Sequence, residues 1–83
     1  EFLIFLPNIN ETTAFNRIND VREGISNLII VDEYGTSARI TCSFGIVTFP
    51  NNKGTTEELI GKADQALYYS KNNGRNRTTT YIS

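Results

Sequence analysis

Two cations, Lys71 and Arg75, carry the plainest chemistry in this chain. They bracket Asn72-Asn73-Gly74 at the end of a segment with helical periodicity, where a helix gives way to a loop. An ammonium and a planar guanidinium so placed can take phosphate oxygens from one side. The same charges can instead offset the negative end of a helix dipole, a purely structural role. A helix C-terminus repels an anion, so phosphate held there needs more than one cation. Arg77 follows two residues on and reads as a solvated strand residue. Asp64 lies opposite the apolar stripe of the helix, as an exposed or lysine-paired carboxylate rather than a metal ligand. Tyr68 and Tyr69 have rings that could stack on a base, but Tyr68 sits one step past the stripe and is expected to pack at a sheet edge. Phe44 and Phe49 are assigned to the core.

The elements that position these residues follow from periodicity. Thr55 and Glu58 form a capping box at the start of the last helix. Leu59, Ile60, Ala63, Ala66, Leu67 and Ser70 make its buried stripe, and Gly74 supplies the left-handed residue that ends it. Upstream, the apolar run Phe2–Leu6, closed by Pro7-Asn8, is expected to be a strand buried on both faces. Asn10 caps an amphipathic helix from about Glu11 to Ser26, with Ala14, Ile18, Val21 and Ile25 as its stripe, widened by Phe15. Leu28–Val31 is a short β-branched strand, and Asp32–Gly35 carries turn residues. A second strand is expected from about Ala38 to Phe49. Its period of two puts Ile40, Cys42, Phe44 and Ile46 on one face and Arg39, Thr41, Ser43, Gly45 and Val47 on the other. Residues 50–54 form a loop, and Thr78–Ile82 a polar edge strand. Strand, helix, strand, strand, helix, strand is an α+β order, with helices on a central, mostly antiparallel sheet.

Bulk composition narrows the function classes. The chain has 83 residues, room for one domain or part of one. A net charge of −1 gives no basic field for a nucleic-acid polymer. No apolar run approaches the roughly 18 residues of a membrane span, and no signal-peptide pattern opens the chain. One cysteine, Cys42, and no histidine argue against an intrachain disulfide and a zinc site, and fit a cytoplasmic setting. Cys42 is expected to be a buried, inert core residue. There is no methionine, even at the first position, and the chain opens inside an apolar run. A piece of a longer polypeptide is the expectation.

Three segments resemble the GGDEF family, the bacterial diguanylate cyclases. Ala63-Asp64-Gln65-Ala66-Leu67-Tyr68-Tyr69-Ser70-Lys71-Asn72-Asn73-Gly74-Arg75-Asn76-Arg77 is similar to that family's A-D-x-A-L-Y-x-A-K-x-x-G-R-N-R ending, with Ser70 where alanine is usual. Thr41–Val47 resembles its T-x-S-x-G strand. Glu1–Pro7 resembles the last two residues of the signature turn and the strand after it. The resemblance spans the chain from Glu1 to the last strand, and residues 1–83 are read as the C-terminal fragment of a single GGDEF-type domain.

The resemblance implies a nucleotide-cyclase and polymerase-palm fold of ferredoxin-like type, with its N-terminal part missing. It also implies a nucleotidyltransferase that condenses two GTP into cyclic di-GMP. Lys71 and Arg75 match the family's triphosphate contacts. Glu1 matches the fourth signature position, a catalytic and metal-end residue beside two Mg²⁺ ions. GTP is the implied partner, cyclic di-GMP a possible one, and a homodimer the implied assembly of the intact parent. The Gly-Gly turn, the metal-binding strand, the guanine-reading residues and the Arg-x-x-Asp inhibitory site do not occur in this stretch. Asp20 stands where the family can place an inhibitory-site arginine, and would repel a dinucleotide phosphate. The fragment alone is therefore expected to be inactive, and its open strand edges to be filled by another chain or by re-pairing, unless these residues are the visible part of a longer chain. The alternative is a non-catalytic GGDEF-like regulatory module that binds GTP or cyclic di-GMP or mediates dimerisation. A protein-interaction domain of similar layout is a third reading, which the phosphate motif disfavours.

Overall fold

The structure, a computed structural model, describes residues 9–49 and 54–81. The expected strand at Phe2–Leu6, the loop residues 50–53 and the far end of the last strand lie outside the described residues.

Helix α1 spans Glu11–Ser26. Asn10, with extended backbone, accepts the Thr13 amide on its side chain at 2.8 Å and so closes the first turn. Beyond Asn27 comes a small hairpin of β1 (Ile30–Val31) and β2 (Ser37–Ala38), antiparallel, with Ile30 opposite Ala38 and Val31 opposite Ser37. Asp32 holds its turn: the carboxylate accepts from the amides of Tyr34 and Thr36 at 2.8 and 2.9 Å. Strand β3 (Phe44–Ile46) then pairs in parallel with β4 (Thr78–Thr80), matching Phe44 to Thr78 and Ile46 to Thr80. Helix α2 (Thr56–Asn72) is the crossover between them.

The two helices lie on opposite sides of the β3–β4 pair. Ala14 and Ile18 of α1 form a buried cluster with Ile46, and Ile9, Phe15 and Phe44 pack against it. Gly45, between Phe44 and Ile46, faces the other way, onto α2. Among the described elements α1 and α2 do not touch; both touch β3 and β4. The hairpin touches neither helix nor the β3–β4 pair.

Several expectations change. The long strand from Ala38 to Phe49 is two short ones, β2 and β3, with residues 39–43 in neither. Period-two alternation records an extended backbone, but a strand also needs a neighbour to complete its hydrogen-bonded ladder, which 39–43 lack among the described residues. Val21 is exposed; the third place on the buried line of α1, after Ala14 and Ile18, belongs to Arg22, whose side chain is only 15% exposed. Phe49 is 69% exposed and Tyr68 72% exposed, so neither is packed in a core or at a sheet edge. Cys42 is a free thiol and half-buried rather than buried. In α2, Ala66 and Ser70 are buried and Leu59, Ala63 and Leu67 half-buried, while Ile60 is exposed.

Candidate functional site

The candidate site is the exit of α2, and the helix is fixed at both ends and in the middle. At its start Thr55 accepts the Glu58 amide on its hydroxyl, and the Glu58 carboxylate accepts the Thr55 amide, each at 3.2 Å. The backbone and hydroxyl hydrogen bonds from Thr55 hold the Glu58 carboxyl below its usual range, with a smaller pull from Lys62.

In the middle, α2 rests on β3 at the one residue that permits the approach. A Cβ on Gly45 would stand 2.3 Å from the carbonyl oxygen of Ala63 and 2.3 Å from the amide nitrogen of Leu67. Backbone meets backbone here, and only glycine fits. One turn on, Ser70 is fully buried. Its hydroxyl donates to the Phe44 carbonyl at 2.9 Å and lies 2.6 Å from the Thr79 hydroxyl. The position where the GGDEF pattern usually has alanine thus ties α2 to both β3 and β4.

Several carbonyls at the end of α2 are satisfied locally. The Asn72 side chain donates from Nδ2 to Tyr68 O at 2.9 Å and the Asn73 side chain from Nδ2 to Tyr69 O at 2.8 Å. Ser70 O accepts from the backbone of Asn73 and, at 3.0 Å, of Arg75. The Arg77 guanidinium donates to Asn73 O. The chain then reverses through three residues of positive φ: Gly74 at 109°, Arg75 at 55° and Asn76 at 45°. Non-glycine residues adopt this region rarely and at a cost.

Lys71 sits in the last helical turn and Arg75 within the reversal, and both are exposed. Neither side chain has a hydrogen bond or ion pair among the described residues. Arg75 lies beyond the helix, so the two cations stand at one end of α2 around the turn, where the helix meets the loop. Arg77 is exposed just before β4, and its carbonyl accepts the Phe44 amide at 2.9 Å to open the parallel ladder. Asp64 is exposed and, with Gln65, Tyr68, Tyr69, Asn72 and Asn73, lines a shallow open groove on the outer face of α2. Glu1 lies outside the described residues. Among the described residues no group of three or more acidic, cysteine or histidine side chains converges to hold a metal ion. These residues do not by themselves fit a two-metal centre.

Arg22 belongs to no motif in the sequence, and Asn76 enters one only as a letter of the G-R-N-R ending with no role attached, yet they meet at this exit. The Arg22 guanidinium reaches from α1 to the reversal, donating from Nη1 to Asn76 Oδ1 at 2.8 Å and to Asn76 O at 3.3 Å. A weaker signal was present: Arg22 continues the Ala14–Ile18 line at a spacing of four, and an arginine on a buried line needs a polar partner.

An α+β domain with this helix exit and a parallel crossover is of the cyclase palm type, and comparison with known proteins agrees. The family described as "Diguanylate cyclase, GGDEF domain" matches residues 1–77. This chain belongs to the GGDEF family. It is 30% identical over 79 residues to Diguanylate cyclase A of Treponema denticola, covering 95% of this chain and 21% of that protein. It is 37% identical over 79 residues to Diguanylate cyclase VdcA of Vibrio cholerae, covering 93% of this chain and 23% of that protein. The GGDEF domain of DgcB from Caulobacter crescentus, solved in complex with c-di-GMP, superposes with a TM-score of 0.84 at 26% identity, over 94% of this chain and 45% of that one. The chain thus spans about a fifth of the length of these curated relatives. No helix among the described residues is long and apolar enough to cross a membrane.

Proposed function

We propose that this chain is the C-terminal part of a diguanylate cyclase domain, in which Lys71 and Arg75 grip the triphosphate of GTP during its condensation to cyclic di-GMP. One observation carries the reading. At the exit of α2 the carbonyls of Tyr68, Tyr69, Ser70 and Asn73 accept from the Asn72 and Asn73 side chains, the Asn73 and Arg75 backbone and the Arg77 guanidinium, while the charged ends of Lys71 and Arg75 stay without partners among the described residues. Cations that served only to finish the helix would be expected on those carbonyls. Two unpaired cations around a tight turn suit a polyanion instead.

In this reading Glu1 stands at the metal end of the site, with Mg²⁺ supplying charge neutralisation when bound. The remaining ligands and the guanine-reading groups come from the rest of the parent. The isolated chain is inactive, because electrostatic stabilisation needs every donor in place. In the intact parent, K71A and R75A should each raise the KM for GTP about tenfold, the loss of one charge-assisted contact. Unchanged KM and turnover in both variants would refute the assignment. The c-di-GMP bound to the DgcB domain supports a second reading, a module that binds cyclic di-GMP without making it. Product formation from GTP by the purified parent separates the two.

A further inference from the structure

We propose that Arg22, on α1, is a positioning residue for Arg75: it anchors the reversed turn through Asn76 and so fixes where the Arg75 guanidinium can meet a triphosphate. The inference rests on the assignment of Arg75 above. Four observations meet at this point. The Arg22 side chain is largely withdrawn from solvent, unlike those of Lys71 and Arg75. Its orientation is set by its own helix, because Nε donates to Asn19 Oδ1 at 2.9 Å and Nη2 lies 3.5 Å from Glu23. Its Nη1 takes both the side-chain and the main-chain oxygen of Asn76. Asn76 is the second of two consecutive non-glycine residues with positive φ, and Arg75 is the first.

Such a pair of left-handed residues persists only when its surroundings hold it. Within the turn one backbone bond does so, from Arg75 N–H to Ser70 O. From outside α2 and the turn, the Phe44 amide holds Arg77 O one residue on, and the Arg22 guanidinium holds Asn76 itself. It crosses the end of the β3–β4 pair from the opposite helix layer, so the turn is referenced to the whole core rather than to α2 alone. A guanidinium already engaged with Asn76, Asn19 and Glu23 is not itself a phosphate ligand. Its part is to keep Arg75 from sampling other directions, and so to reduce what ordering costs when the triphosphate binds.

The test is a double-mutant cycle in the intact parent enzyme, with steady-state kinetics on GTP and thermal unfolding as a folding control. R22A should raise the KM for GTP about three- to tenfold, with kcat within about twofold, the signature of lost ground-state positioning. In an R75A background the same change should have no further effect, because the residue that Arg22 positions is gone. Asn76→Gly removes the Oδ1 acceptor yet keeps positive φ accessible, and should give part of the same rise. If the R22A and R75A effects on KM multiply, Arg22 acts independently and the proposal falls, while the assignment of Arg75 stands. If R75A alone leaves KM unchanged, the assignment of Arg75 falls and this proposal with it. Should R22A fail to fold, Asn76→Gly decides, and a wild-type KM in that variant overturns the proposal.

Discussion

At the residue scale, the seating of α2 on the sheet depends on Gly45, which carries no functional group at all. It sets how closely α2 approaches the sheet, and Ser70, one turn from the contact, locks that approach with hydrogen bonds to β3 and β4. Lys71 follows Ser70 directly, so any displacement of the helix moves the cation by a similar amount. Gly45→Ala would place a methyl 2.3 Å from two backbone atoms that cannot swing aside as a side chain can. The helix must lift, at about 3 kcal/mol or more. The expected outcome in the parent is a clear drop in the unfolding midpoint of the domain and a weakened hold on GTP. A midpoint indistinguishable from wild type would show that α2 does not rest here.

At the element scale, the helices were legible in the sequence over their whole length, whereas the strands were legible in place but not in extent or pairing, for a physical reason. α1 runs from Glu11 to Ser26 as its stripe and its Asn10 cap foretold, and the capping box of Thr55 and Glu58 is present with both bonds. Helices draw their hydrogen bonds from neighbours in sequence, so local patterns describe them well. A strand takes its partner from elsewhere, and the alternation from Ala38 to Phe49 could not say which residues would find one. The site divides the same way. Lys71, Gly74 and Arg75 belong to one continuous motif, whereas Arg22 meets Asn76 across 54 positions and no local pattern announces that pairing.

The capping box also makes a pH prediction. The Glu58 carboxyl is held below its usual value of 4.5 by bonds that form only in the folded helix. A depressed folded-state pKa contributes stability above the unfolded pKa, and that contribution is lost as pH falls through the folded value. Thr55→Ala should destabilise by about 1 kcal/mol at neutral pH as the cap is lost. It should also shrink the fall in urea midpoint between neutral pH and the acid side of the carboxylate range, relative to wild type. Equal falls in the two proteins would mean that Glu58 gains nothing from Thr55 on folding.

At the scale of the whole molecule, the described residues divide into a packed part and an unpacked one. The packed part is the α1, β3–β4, α2 stack, whose buried apolar residues are Ala14, Ile18, Ile46 and Ala66. The unpacked part is the β1–β2 hairpin, which shows Leu28, Ile29, Ile30 and Val31 to solvent and rests on no other described element. Among the described strands, β3 is paired on one side only. A contiguous apolar surface and an open strand edge are each a usual template for association. The 83-residue chain purified by itself is therefore expected to self-associate, with a mass by light scattering that rises with concentration. Ile29→Lys combined with Val31→Lys places charge on that surface without touching the stack, and should move the mass toward that of a single chain. A wild-type chain that stays monomeric at high concentration would show that the hairpin surface is harmless as it stands. A double variant that associates as strongly as wild type would move the responsibility to the edge of β3.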